Sequence, residues 1–213
     1  ATALDASGNE STAVSVSFSV VDHTPPSPPV ITSPSQGDQE AAFGVEIDGT
    51  AAADAATIRI YEGTTLRAST APASGHWSTI VQFSGGSHRV TATALDVAGN
   101  ESGPSGSVSF VVDVTPPHVV ISTPSGTTAA LTPVAVAGSA SDNAELAKVW
   151  VSFENAVLGG DRDFAASCSG CGTTASSWSV SAAIEPGVYR VTATAEDAAG
   201  NTATTPYVLV VVA

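Results

Sequence analysis

The sequence predicts an all-β chain of tandem Greek-key β-sandwiches, with about seven strands in each. Three observations carry this expectation. A ten-residue string recurs along the chain, apolar residues alternate in short runs, and no segment sustains the 3.6-residue period of an amphipathic helix.

The recurrence is the strongest of the three. ATALDASGNE opens at Ala1, ATALDVAGNE at Ala92 and ATAEDAAGN at Ala193, at spacings of 91 and 101 residues. The joining strings repeat too: VVDHTPP surrounds Asp22 and VVDVTPP surrounds Asp113. Each is followed by a matching run, VITSPSQG from Val30 and VVISTPSG from Val119. At a constant offset of 101, Trp77 matches Trp178, Gly86 matches Gly187, His88 matches Tyr189 and Arg89 matches Arg190. Three units follow. Residues 1–24 read as the C-terminal hairpin of a truncated repeat plus its linker. Residues 25–116 form one full repeat, and 117–213 another that carries a cysteine-containing insertion.

Alternation places the strands. In the second full repeat they are expected at His118–Thr123, Val134–Ser141, Ala147–Glu154, Ala156–Gly159, Ser177–Ala183, Val188–Glu196 and Tyr207–Val212. Every second residue of the run from Val188 can face a core. Glu185-Pro186-Gly187 and Asp197-Ala-Ala-Gly200-Asn201 supply turn chemistry between strands. Units of this length, with strands at this spacing, fit an immunoglobulin-like or fibronectin-III-like sandwich.

Composition excludes whole classes of partner. Twenty acidic residues stand against six basic ones, for a formal charge of −14. Six scattered cations make no stripe for nucleic-acid phosphates, and an anionic membrane surface repels such a chain. No run of about 18 apolar residues is present to span a bilayer. Ala1 falls in mid-pattern, so the chain reads as a segment of a longer polypeptide.

The DxTPP linkers, the GxYxVTATAxDxAGN run and the tryptophan before it resemble the immunoglobulin-like tandem repeats of large bacterial surface and secreted proteins, adhesins among them. The resemblance covers nearly the whole chain. It implies a location outside the cell or on the bacterial surface, in an adhesin stalk or beside the catalytic domain of a secreted hydrolase. It also implies a tyrosine corner at Tyr189, which His88 puts in doubt in the first repeat.

The sharpest chemical expectation is a calcium site at each joint between repeats. In a seven-stranded sandwich the start of the first strand, the B–C loop and the F–G loop share one pole, where the preceding linker arrives. Asp113 should therefore approach Asp142, Asn143, Asp197 and Asn201. At the other joint Asp22 should meet Asp48 or Asp54, together with Asp96 and Asn100. Converging carboxylates repel one another unless a cation lies among them, and loop oxygens suit Ca²⁺. The resemblance points the same way, since similar bacterial repeats and cadherins use calcium at their joints. Against it, Asp-x-x-Gly-Asn is also plain hairpin-turn chemistry.

Cys168 and Cys171, in the insertion Gly160–Ser176, are read as a small disulfide pinching a loop tip. The βαβ context of a redox C-x-x-C is missing, and so are two further zinc ligands. Trp77 and Trp178 are expected in the cores. Trp150 alternates with Val149 and Val151 and is a candidate for an exposed contact. The four histidines are dispersed and no hydrolase or phosphate-loop motif appears, so no enzyme is expected.

The linkers Thr24-Pro-Pro-Ser-Pro-Pro29 and Thr115-Pro-Pro117 are extended, semi-rigid spacers. Each repeat then adds on the order of 30–40 Å to a rod. The expected function is a structural spacer of a surface protein, with neighbouring repeats as its first partners and a cell-surface glycan or protein reached through the parent chain. The alternative is an accessory carbohydrate- or surface-binding module of a secreted hydrolase.

Overall fold

The computed structural model describes residues 1–213, in which every regular element is a β-strand. The first repeat contains β1 (Val30–Ser33), β2 (Gln39–Glu40), β3 (Gly44–Thr50), β4 (Thr57–Glu62), β5 (Thr65–Thr70), β6 (His76–Gln82), β7 (Gly86–Leu95) and β8 (Val108–Val112). They form a three-stranded sheet, β1-β3-β6, facing a five-stranded sheet, β2-β8-β7-β4-β5. The second repeat contains β9 (His118–Thr123), β10 (Thr128–Ala130), β11 (Val134–Ser141), β12 (Leu146–Asn155), β13 (Asp161–Ala165), β14 (Ser167–Cys168), β15 (Ala175–Ala182), β16 (Gly187–Asp197), β17 (Thr202–Thr204) and β18 (Val208–Val212). Its sheets are β14-β15-β11-β9 and β10-β18-β16-β12-β13, with β17 paired to β16. Pairs are antiparallel except β2 with β8 and β10 with β18, which run parallel.

Each sandwich encloses its own core, filled by the inward residues of both sheets. Ile47, Ile58, Ile60, Val90 and Phe110 close the first; Leu146, Val151, Phe153, Val191 and Val210 close the second. Strand β15 shows why the sequence selects this form: buried Ser176, Trp178, Val180 and Ala182 alternate with exposed Ala175, Ser177, Ser179 and Ser181. A one-residue slip would turn tryptophan to water and serine to the core.

One device recurs in both cores. Trp77 and Trp178 are 3% and 2% exposed. Each lies across from a glycine of the neighbouring strand, Gly49 and Gly138. A Cβ at Gly49 would lie 1.9 Å from Val30 O and 2.6 Å from Trp77 Cζ2. At Gly138 it would lie 1.9 Å from Val120 O and 2.5 Å from Trp178 Cζ2. The indole occupies the space that any side chain would need.

The tyrosine corner is present twice, in two chemistries. The Tyr189 hydroxyl donates to Glu185 O at 3.1 Å. In the first repeat His88 reaches back the same four residues, with Nε2 2.9 Å from Ser84 O. Its Nδ1 lies 2.7 Å from Glu62 Oε1, and Glu62 in turn pairs with Arg67. The imidazole thus substitutes for the phenol.

One strand expectation is corrected. Ala156–Gly159 is not a strand but a turn: Asn155 Oδ1 accepts from the amides of Val157 and Leu158, and Gly159 and Gly160 take φ of 67° and 90°. The fourth strand is β13, inside the expected insertion, where it pairs with β12 as β5 pairs with β4. Residues 1–14 fold back on themselves: the Ser11 amide donates to Ala3 O, the Val14 amide to Ala1 O, and Ala1 N to Val14 O. The Leu4–Glu10 bridge closes the Asp5–Asn9 turn, while the side chains of Val14, Val16, Phe18 and Val20 stay exposed. No sheet is present to cover this alternating run.

Candidate functional site

The joint between the two full repeats gathers the side chains of Asp113, Asp142, Asn143, Asp197 and Asn201. Asp113 follows β8 directly, and its amide donates to Glu40 O, tying it to the first repeat. Its Oδ1 accepts from the Thr115 amide at 2.9 Å, which turns the chain into Pro116 and the buried Pro117. From the second repeat, Asn143 Nδ2 donates to Asp113 Oδ2 at 2.9 Å. Asn201 Nδ2 donates both to Asp113 O and to Asp197 Oδ2, each at 2.8 Å. The linker aspartate is held by both sandwiches and is 3% exposed.

The F–G turn explains how Asn201 is aimed. Asp197 Oδ1 accepts from the Asn201 amide at 2.8 Å while its Oδ2 takes the side-chain amide. This side-chain clasp across a tight Ala-Ala-Gly turn leaves the second N–H of Asn201 for the linker. The Asp-x-x-Gly-Asn string is therefore a turn, and also a grip on the preceding linker.

Carboxylate oxygens of Asp113, Asp142 and Asp197 all lie within 4.8 Å of one another. Asp197 is 1% exposed. Asp142 Oδ2 accepts from the Ala144 amide, whereas its Oδ1 is buried with no hydrogen-bond partner. None of the ion pairs of the chain reaches these three residues. Like charges so close repel by on the order of 3 kcal/mol per pair at an effective dielectric constant of about 20. Oxygens sharing one Ca²⁺ at roughly 2.4 Å lie at most about 5 Å apart, so the spacing, the burial and the orphaned oxygen fit one hard cation.

The joint at Asp22 is built to the same plan with parts missing. Asn100 Nδ2 donates to Asp96 Oδ2 at 2.7 Å and to Asp22 O at 3.1 Å, and Asp22 Oδ1 accepts from the Thr24 amide. The Asn100 side-chain amide holds the Asp96 carboxyl below the usual carboxylate range. No third carboxylate joins them, and Asp22 is exposed. Counting onward from Gly49 and Gly138, Ala53 stands where Asp142 stands and Asp54 where Asn143 stands. Asp54 is exposed on the B–C loop. Asp48 lies outside the joint: it points outward from β3, between buried Ile47 and Gly49, and its carboxylate accepts from the Thr32 hydroxyl. The expectation that Asp22 would meet Asp48 is thereby corrected, for strand alternation aims Asp48 at the sheet face. A third clasp, Asp5 with Asn9, repeats the turn near the start of the chain, and Asn9 lowers the Asp5 carboxyl in the same way.

Elsewhere, Cys168 and Cys171 form a disulfide. Trp150 is half-buried on the outer face of β12, with Lys148 Nζ 5.6 Å from its ring centre and paired to Glu196. Sequence reasoning missed the second duty of the clasp asparagines. The signal was available in the coincidence of Asp-x-x-Gly-Asn with a VVDxTPP linker in each repeat.

No family model and no curated protein matches the chain. Solved structures do. The fibronectin(III)-like modules of Clostridium thermocellum CbhA superpose with a TM-score of 0.55 at 20% identity, covering 85% of this chain and 92% of that one. The FN1–FN3 domains of chicken CNTN1 give 0.47 at 9% identity, covering 87% and 68%. A tetra-tandem repeat from the extending region of a large adhesion protein gives 0.37 at 19%, covering 87% and 49%. The first likeness shows the fold: the chain is a tandem of fibronectin-III-like, immunoglobulin-like β-sandwiches.

Proposed function

We propose that this chain is a non-catalytic spacer, a stalk segment of a bacterial surface or secreted protein of the adhesin kind, stiffened by Ca²⁺ at the joint between its full repeats. The buried Asp113, bonded to both sandwiches, carries the reading. A chain needing only to tether would leave its linker in water. Here the second repeat uses two asparagines to hold it, and the linker's own Asp113 with Asp142 and Asp197 makes a set of three carboxylates that suits a divalent cation. Asp113, Asp142 and Asp197 would hold the ion, and its charge would offset their repulsion and draw linker, B–C loop and F–G loop together.

The test is a thermal melt in millimolar Ca²⁺ against excess chelator, on the native chain and on Asp142→Ala. A ligand that binds only the folded form stabilises it by about 2.7 kcal/mol at a hundred times its dissociation constant. The melting point of the second repeat should rise with calcium in the native chain, and the rise should vanish in the variant. Equal melts would remove the cation and leave the prolines and asparagine grips as the stiffeners.

A second reading, a module that holds a secreted hydrolase on polysaccharide, is favoured by one observation: the part-exposed Trp150 beside Lys148 and Glu196. Glycan-array binding abolished by Trp150→Ala would support it over the spacer.

A further inference from the structure

The second repeat differs from the first in the crossing that leads to the strand carrying the buried tryptophan. The first repeat crosses from β5 to β6 through 71–75 alone, whereas the second runs from β13 to β15 through 166–174, with β14 and the disulfide on the way. This longer crossing lies against the B–C loop. The Gly172 amide donates to Leu146 O at 2.8 Å, the Leu146 amide to Thr173 O at 2.9 Å, and the Asp142 amide to Thr174 O at 2.8 Å. The matching loops of the first repeat share one such bond, from the Ala51 amide to Gly75 O.

The crossing is itself laced tight. The Gly170 amide donates to Ser176 Oγ, the Thr173 hydroxyl reaches Gly170 O, and the Ser169 amide donates to Ser177 O. Cys168 Sγ lies 3.0 Å from Ser176 Oγ. On its other side the B–C loop meets the joint. Asn143 donates to Asp113, and Glu145 O accepts from the Ala198 amide of the F–G loop. The loop 142–146 is thus bracketed, with the disulfide crossing behind it and the linker in front.

We propose that the Cys168–Cys171 loop is a positioning strut for the joint: by clamping the backbone of Asp142 and Leu146 it holds Asn143 and Asp142 against the linker, and opening the disulfide loosens the second repeat on the first. The strut needs no metal. Its effect on calcium affinity rests on the cation reading above.

The experiment is residue-resolved amide exchange on the full chain and on Cys168→Ser/Cys171→Ser, with calcium titrations of both. Exchange at Asp142 and Leu146 should quicken about tenfold or more in the variant, the scale of one lost hydrogen bond. Val149 and Val151, in the core strand β12, should keep their protection. Unchanged exchange at Asp142 and Leu146 would overturn the strut. Quickened exchange in a chain that ignores calcium would uphold the strut and remove the cation. Quickened exchange with weaker calcium binding would uphold both. Should the variant lose protection at Val151 as well, the native chain treated with a dithiol replaces it. That reductant supplies two electrons and two protons to the disulfide and becomes a disulfide itself, and the same two amides are read.

Discussion

Asn201→Ala should be among the most costly single truncations at the joint. The side chain makes two hydrogen bonds, both at 2.8 Å, to Asp113 O and to Asp197 Oδ2. Both acceptors belong to residues at most 3% exposed, so water reaches neither easily once the amide is gone. A bond to a neutral carbonyl is worth about 1 kcal/mol and one to a carboxylate roughly 1.5–3 kcal/mol. The sum is about 3 kcal/mol, which for a sandwich of this size lowers the melting point by roughly 15 °C. Asn100→Ala is the internal control. It breaks the same pair of bonds, but the linker bond is 3.1 Å long and Asp22 is exposed, so its cost should be about half. Calorimetry of each variant, with the two transitions assigned by the repeat in which the change lies, reads the difference. Equal losses, or a loss below about 0.5 kcal/mol for Asn201→Ala, would refute the claim that burial of the grip gives it its strength.

Gly138→Ala and Gly49→Ala should each destabilise their own repeat by about 3 kcal/mol or more, because the new methyl meets a carbonyl and an indole that cannot both withdraw; urea unfolding followed by tryptophan fluorescence reads this. Tyr189→Phe should cost about 1 kcal/mol through the lost bond to Glu185 O, and His88→Ala should cost more, since it also strips Glu62 of a partner; His88→Tyr should recover part of that loss in the same unfolding assay. Acid should weaken the Asp96 clasp. A carboxyl held low in the folded state adds stability above the ordinary carboxylate range, and that stability is lost as pH falls through the lowered folded value. Asn100→Ala should move the Asp96 titration up toward that ordinary range, as followed by carboxyl-carbon NMR, and an unmoved titration would remove the amide as the cause.

The fold was legible because alternation, turn residues and an internal repeat agree. Strands β9 and β11 fall where the apolar period places them, and Trp77 and Trp178 align because each needs a glycine opposite. The fourth strand was not legible. Ala156-Val-Leu looks as β-prone as Asp161-Arg-Asp-Phe, and only the paired glycines and the Asn155 turn separate them in space. At the joint, residue type was informative and register was not. Asp48 and Asp54 differ by six positions. Whether either reaches the linker depends on which face of β3 is inward and on loop length, which composition does not encode. His88 left the corner of the first repeat in doubt because its capacity to reach a carbonyl as a phenol does shows only once its ring nitrogens have neighbours.

The parallel pairing of β2 with β8 and of β10 with β18 has a mechanical meaning. Tension on a repeat draws β2 or β10, near its start, backward and its last strand, β8 or β18, forward. Because the two run parallel, they slide along their common axis. The bonds from Gly37 to Ser109, Val111 to Asp38 and Asp113 to Glu40 in the first repeat, and the β10 ladder with the Ala213 bond in the second, are then sheared together instead of unzipped in turn. Such an arrangement resists extension until several bonds fail at once, so single-molecule pulling should show one sharp rupture for each repeat.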